Sequence, residues 1–200
     1  IRRPPRSTRK ESSAASDVYK RQAFNRSNFQ QEIFELYHDL ITFGTAAMFI
    51  EEDEEDLIKF STRHIDEVYI AENDKGRIDT IYRRFKISAR AAVQKFGNKI
   101  SSDIKSIVDK DPYKEIEIIH AVYPRKDFNP TKKDKSNMPF ESVYIEFKTG
   151  NELSVSGFKE FPFVVPRYLK ASNEIYGRSP AMTALPDVKM LNEMSKTTIK

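Results

Sequence analysis

The residues best able to do chemistry in this chain are six consecutive carboxylates, Glu51 to Asp56. Clustered carboxylate oxygens can bind a divalent cation, or they can dock on a basic partner. A cation site of this kind also needs a loop shaped by glycine, and the run contains none. The run therefore favours a solvated hairpin tip, whose mutually repelling charges also discourage pairing with a foreign strand edge.

The three histidines of the chain lie far from one another in sequence. His64 precedes Asp66 by two positions, which would place both on one face of a strand and could begin a metal or acid–base site. The alternative is an ordinary surface pair on a hairpin. His38, beside Asp39, is expected on an exposed or interfacial helix surface, and His120 is expected to be a hydrogen-bonded, half-buried strand residue.

Motifs that would specify an enzyme are absent. The sequence has no dinucleotide-binding glycine pattern, no Gly-x4-Gly-Lys-Ser/Thr phosphate loop, no Gly-x-Ser-x-Gly elbow and no His-Glu-x-x-His pair. It has no cysteine either, so it offers neither disulfides nor thiolate ligands. We therefore predict no catalytic residue, no metal site and no cofactor. A hydrolase built on the acidic run and His64 is kept as an alternative hypothesis.

One segment is a candidate for contact with DNA or with an acidic partner. Its basic residues are Arg125, Lys126, Lys132, Lys133 and Lys135. Lysine and arginine side chains contact DNA chiefly through its phosphates. Two aspartates interrupt the segment and dilute its charge, so a solvated surface loop is the alternative interpretation.

The net charge of +4 is unevenly distributed along the 200 residues. Residues 1–22 hold seven basic and two acidic residues, a net of +5, while the other 27 basic and 28 acidic residues leave −1. A near-neutral body gives no electrostatic argument for a nucleic-acid surface. Residues 1–22 resemble translated sequencing-adapter read-through and lack the apolar core of a signal peptide. We expect them to be a disordered, non-native leader; a basic arm that binds nucleic acid is the alternative.

The remaining pattern predicts an α+β fold of antiparallel hairpins. Ser27 to Gln30 reads as a capping box that opens an amino-terminal helix, and Gly44 is placed to end it. Two short helices, Ser88 to Phe96 and Ser101 to Val108, are inserted between strands. In a later strand, Val143, Ile145 and Phe147 alternate with Ser142, Tyr144 and Glu146, and a two-residue turn at Gly150 and Asn151 follows.

The carboxyl-terminal segment reads as a turn followed by a long helix. Gly177 permits an unusual turn, Ser179 is a candidate helix N-cap, and Pro180 suits the first helical position. Pro186 predicts a kink or a restart. Apolar residues then recur every third position and mark one helical stripe: Leu185, Val188, Leu191 and Met194.

Three segments in this order resemble the head-to-tail connectors of podoviruses, the portal proteins of short-tailed bacteriophages. They are Phe43 to Met48, Ile87 to Gly97, and Tyr176 to Asn192, and the resemblance covers roughly residues 29–200. The family usually carries a second glycine where this chain has Ser179. This departure is small, because serine also caps helices.

The resemblance implies a homo-oligomeric ring, expected to have twelve subunits, at one capsid vertex of a virion assembled in the host cytoplasm. Its partners would be terminase, scaffold, capsid and tail-adaptor proteins, with double-stranded DNA passing through without sequence readout and no membrane involved. Residues 23–174 would be a wing-like α+β domain, and residues 175–200 the truncated start of a helix directed to the stem. The turn Gly177, Arg178, Ser179 and Pro180 would be the constrained assembly site. A small phage tail adaptor, or another α+β interaction domain, is the alternative.

Overall fold

The computed structural model describes residues 17–53, 55, 57–129 and 134–199, which divide into two compact units. The first unit comprises the chain up to Arg63 together with Phe163–Ser172 and Tyr176–Lys200. The second comprises His64–Pro162 and Asn173–Ile175. Both units contain helix and antiparallel sheet, so the predicted α+β class is confirmed. Residues 1–16 of the expected leader lie outside the described residues.

The helices and strands follow one another along the chain in mixed order. They are α1 (residues 17–26), α2 (Phe29–Phe43), β1 (Ala47–Asp53), β2 (Leu57–Arg63), β3 (Val68–Glu72), β4 (Ile78–Ser88), α3 (Ala89–Phe96), α4 (Ser102–Lys110), β5 (Glu115–Pro124), β6 (Phe140–Glu146), β7 (Glu152–Phe158), β8 (Phe163–Val164) and α5 (Pro180–Ile199). None of these described helices has a stretch apolar enough, over a sufficient length, to cross a bilayer.

The first unit is a three-stranded antiparallel sheet, ordered β2-β1-β8, with α2 packed on one face. The buried face of α2, formed by Phe29, Ile33, Leu36 and Leu40, lies against alternate residues of β1 and β2. The buried centre of this core is formed by Leu36, Ala46, Met48 and Phe60. The aromatic ring of Phe24, from α1, extends the core by contacting Phe29 and Phe60.

The start of α2 differs from the predicted capping box. Asn28 occupies the N-cap position but makes no capping bond with its side chain. Its side-chain oxygen instead accepts from the Phe60 amide at 3.0 Å, and its side-chain nitrogen donates to the Phe60 carbonyl at 2.8 Å. One turn later, a carboxylate oxygen of Glu32 accepts from the amide of Thr62. Since β2 is an edge strand, these side chains satisfy backbone groups that would otherwise be open to a foreign strand.

The second unit is a five-stranded antiparallel meander, ordered β3-β4-β5-β6-β7, whose core lies under α3 and α4. Both helices begin as predicted, because Ser88 and Ser101 each accept a hydrogen bond from an amide in the first turn. The most deeply buried leucine is Leu153, which is 1% exposed. Burial of a leucine side chain contributes about 2 kcal/mol to stability.

The alternation predicted for β6 is present, but the helices cover its more polar face. His120 of β5 is 3% exposed, stacks on Tyr144 with ring centres 4.0 Å apart, and pairs with the Ser142 hydroxyl at 2.9 Å. Phe96 of α3 packs on the other side of this cluster, 5.3 Å from Tyr144. These polar side chains tolerate burial because their hydrogen bonds and ring contacts replace water.

Three local predictions need correction. The β6–β7 connection is longer than a two-residue turn, because β6 ends at Glu146 and Gly150, with φ 69°, closes a wider turn by donating to the Glu146 carbonyl. Helix α5 continues through Pro186, so the predicted restart is wrong, while a kink there stays a prediction. His64 and Asp66 do not share a strand face; they open a single 3-10 turn, in which His64 Nδ1 accepts from the Asp66 amide at 3.3 Å.

We expect Asn28→Ala to destabilise the first unit by about 1 to 3 kcal/mol, because two buried backbone groups of Phe60 lose their partners. Chemical denaturation followed by circular dichroism would measure this. Gln31→Ala, an exposed change on the same helix, is the control and should be nearly neutral. Equal stabilities for the two variants would show that Asn28 does not support the edge strand.

Candidate functional site

The turn predicted as the constrained site lies where α5 begins, and its central feature is a contact between two glycines. A Cβ atom on Gly44 would lie 2.5 Å from the carbonyl oxygen of Gly177, and a Cβ on Gly177 would overlap the carbonyl oxygen of Gly44 even more closely. Neither distance is possible for a real side chain. Gly44 also has a φ of 79°, the left-handed conformation of a helix C-cap, which glycine adopts without strain.

Hydrogen bonds hold the two glycine segments together. The amide of Gly177 donates to the hydroxyl of Thr45 at 2.7 Å, and Thr45 itself is 1% exposed. The carbonyl of Gly44 accepts from the Tyr168 amide at 2.9 Å, while the Arg178 amide donates to the Leu169 carbonyl at 2.7 Å. The turn is therefore tied both to the end of α2 and to the segment that follows β8.

Ser179 links α2 to α5 directly. Its hydroxyl accepts from the Met182 amide at 2.9 Å, which is the predicted N-cap bond, and α5 begins at Pro180 as expected. The same hydroxyl donates to the carbonyl of Thr42 at 2.8 Å, one of the last carbonyls of α2 that have no partner within the helix. One side chain thus satisfies the end of one helix and the start of the next.

The polar groups of this turn are engaged in hydrogen bonds within the first unit. The Ser179 hydroxyl is 2% exposed and both donates and accepts a hydrogen bond, so it is not poised as a nucleophile. Arg178 contributes its main chain to the turn, and the residue is exposed. The contacts fix the direction of α5 relative to α2 within the first unit, because the residue that caps α5 is bonded to the end of α2.

The structure describes three of the five predicted basic contact residues: Arg125, Lys126 and Lys135. Arg125 is half-buried, and its guanidinium lies 3.3 Å from the Glu141 carboxylate and 3.3 Å from the Met138 carbonyl. Burial, and then the neighbouring Glu141 carboxylate, raises the pKa of Tyr123 above its ordinary value. Lys126 and Lys135 are exposed, whereas Lys132 and Lys133 lie outside the described residues.

The other candidates for chemistry are the acidic run and the histidines. Glu51, Glu52 and Asp53 lie on β1 at the hairpin, and Glu54 and Asp56 lie outside the described residues. Within the part of the chain that the structure describes, no three histidine, aspartate or glutamate side chains are arranged to hold a metal ion. His38 is exposed at 72% of its side chain and lies 3.8 Å from Asp39.

Sequence reasoning missed the α2 half of this site. It placed Gly44 as a helix terminator, but it gave no role to Thr42 or Thr45 and did not pair Gly44 with Gly177. These residues are more than 130 positions apart from their partners. Two signals were present in the sequence: the Gly44-Thr45 pair directly after a helix, which also occurs at ordinary helix ends, and the place of this pair in the segment Phe43 to Met48 that carries the resemblance.

We expect Gly177→Ala to destabilise the first unit by about 3 kcal/mol or more, because its methyl group must displace the Gly44 backbone. Thermal or chemical unfolding would measure the loss. Gly150→Ala is a matched control: Gly150 has φ 69° but nothing within 4 Å of its added Cβ, so only backbone strain of about 1 kcal/mol applies. A Gly177→Ala variant no less stable than Gly150→Ala would contradict the close contact.

Ser179→Ala should lower stability by about 1 to 2 kcal/mol, since the Met182 amide and the Thr42 carbonyl both lose a partner. Amide hydrogen exchange should also accelerate in the first turn of α5. Ser195→Ala, at an exposed position of the same helix, serves as the control. Unchanged exchange near Met182 in the Ser179 variant would rule out the cap.

Comparison with known proteins identifies the family. The family model described as "Bacteriophage head to tail connecting protein" matches residues 16–200. The chain is 35% identical over 172 residues to the "Probable portal protein" of Bordetella phage BPP-1, covering 84% of this chain and 31% of that protein. It is also 35% identical over 180 residues to the "Portal protein" of Salmonella phage epsilon15, covering 88% of this chain and 32% of that one. The chain thus spans about a third of the length of these curated relatives, and it belongs to the bacteriophage head-to-tail connecting protein family.

Proposed function

We propose that this chain is part of a portal subunit, which forms a ring at one capsid vertex through which double-stranded viral DNA is packaged and ejected. The observation that carries the proposal is the match to two portal proteins over more than four fifths of the chain. The glycine contact lies inside the matched region, and it supplies the kind of rigid junction that a ring under load requires. No comparable observation favours the tail-adaptor alternative.

The proposed role is structural and involves no chemical step. Terminase, scaffold, capsid and tail adaptor proteins would dock on the ring, and the surfaces for some of them would belong to the two thirds of a portal protein that this chain does not match. Residues 23–174 would form the wing-like part. Helix α5 would leave it toward the stem, in the direction fixed by Gly177, Arg178, Ser179 and Pro180.

The proposed relation to DNA is passage rather than tight binding. A body with a net charge of −1 attracts phosphates weakly, and strong attachment would oppose transport of the duplex. Arg125 is already paired with Glu141, which leaves Lys126 and Lys135 as the described members of the predicted basic set that could make weak phosphate contacts. Lys132 and Lys133 complete the same proposed loop. Specific sequence readout has no role in this mechanism.

We expect the purified chain at high concentration to form closed rings of uniform size, about twelve subunits, with a central opening. Negative-stain electron microscopy and mass photometry would measure the size and the mass. Gly177→Val should abolish the rings, and Gly150→Ala should leave them intact. Particles that stay monomeric, or rings too narrow for a duplex, would count against the ring-channel proposal for this part of the chain.

A further inference from the structure

The second unit buries a titratable side chain that the proposed function does not use. His120 of β5 is 3% exposed, and its Nε2 atom lies 2.9 Å from the hydroxyl oxygen of Ser142. Its imidazole ring lies parallel to the ring of Tyr144, with an interplanar angle of 2°. A histidine in water takes up a proton as the pH falls through about 6.5. The charge state of this buried site therefore matters under mildly acidic conditions.

Burial disfavours the charged form of His120. Its neighbours on the same strand face, Ile118 and Val122, are both fully buried. A charged imidazolium would have no water to solvate it there, and a buried charge costs far more free energy than a neutral ring. The hydrogen bond to Ser142 does not offset this cost, because a hydroxyl can accept from a protonated ring nitrogen or donate to an unprotonated one.

Strand β4 adds a positive charge beside the ring. Arg83 pairs directly with His120 in the β4–β5 ladder, so the two side chains lie on the same face of the sheet. The Arg83 guanidinium lies 4.0 Å from the centre of the Phe85 ring and makes an ion pair of 2.8 Å with Glu67. Glu67 offsets part of this charge, and the ion pair fixes the guanidinium on the face of the sheet that His120 occupies.

Helix α3 adds a second positive charge. The Lys95 ammonium group lies 4.6 Å from the centre of the Tyr144 ring, the ring on which His120 stacks. Glu146 is the buried carboxylate on this face of β6, but it lies beyond Tyr144, on the far side from Ser142. Since the His120 ring bonds to Ser142, it is turned away from Glu146. A proton on His120 would thus add a third positive charge to a site with two cations.

We propose that His120 is an acid-sensitive switch, and that uptake of a proton by its ring opens helix α3 from the sheet. The helix covers the cluster, since its Lys95 and Phe96 both contact Tyr144. At eight residues, α3 is too short to be stable without packing, so its opening costs less than unfolding the whole unit. This inference does not depend on the ring proposed above.

The sign of the effect follows from proton binding. In the closed state the His120 ring stays neutral, and in the open state it takes up a proton below about pH 6.5. Because the open state then binds more protons, acid favours it, and the closed state is fully favoured only above that pH. Each pH unit below about 6.5 should shift the equilibrium about tenfold toward the open state. Carboxyl groups ordinarily titrate near pH 4, below this range.

Hydrogen exchange of the α3 amides tests the switch, when it is measured between about pH 5 and pH 8 and corrected for the intrinsic pH dependence of exchange. We expect protection to be constant above about pH 6.5 and to fall about tenfold for each pH unit below it. His120→Gln removes the titrating ring but keeps a side chain that can bond to Ser142. Protection of α3 in this variant should not depend on pH over the same range, whatever its absolute level.

The two exposed histidines provide matched controls. His38→Gln changes a residue of α2, and His64→Gln changes the residue at the start of the second unit. Both variants should keep the tenfold response of α3. The proposal is overturned if this response is absent from the unmodified chain, persists in His120→Gln, or disappears in either control.

Nuclear magnetic resonance of the unmodified chain gives a second measurement, which needs no substitution at His120. The ring-proton signal of His120 should report protonation only over the pH range in which α3 loses its protection. Protonation of His120 with α3 still protected would refute the switch, as would loss of α3 protection while the ring stays neutral.

Discussion

The contact between the backbones of Gly44 and Gly177 is the constraint on which the first unit depends. It joins the end of α2 to the start of α5 at a distance that no side chain could occupy. Hydrogen bonds around the contact keep the two backbones close together, and they are made by Thr45, Ser179 and the Tyr168 amide. Because these groups are buried and paired, loss of any one leaves a polar partner without water.

Helix α2 connects the glycine contact to the three-stranded sheet. At its amino end, Asn28 and Glu32 bond to the free edge of β2, and at its carboxyl end the carbonyl of Thr42 receives Ser179. Helix α2 therefore fixes the positions of both the β1–β2 hairpin and the start of α5. For a protein proposed to hold its place in a ring while DNA moves past, such a rigid link between distant segments is the property that matters. A catalytic centre would need accessible reactive groups, and Ser179 and Thr45 are buried and fully engaged.

The second unit shows how polar residues can serve as core. His120, Ser142 and Tyr144 lie under the helices because each finds a partner within the cluster. Hydrophobic alternation alone would have placed the other face of β6, with Val143, Ile145 and Phe147, toward the core. Val143 is paired with Val155 of β7 and with Ala121 of β5, which in turn is paired with Tyr82 of β4; Val155 and Tyr82 remain partly exposed.

The sequence by itself determined the α+β class, the positions of the short helices α3 and α4, the serine cap of α5, the end of α2 at Gly44, and the family. These features depend on residues within a few positions of one another, and such short-range patterns can be recognised in the sequence. Only the tertiary structure decided that Gly44 meets Gly177, that Asn28 serves a strand rather than its own helix, and which face of β6 is covered. The hydrogen bonds behind these pairings join residues 22, 32 and 132 positions apart in the sequence. No local preference encodes such a pairing, because the partner's identity is set by packing and by the need to satisfy buried backbone groups.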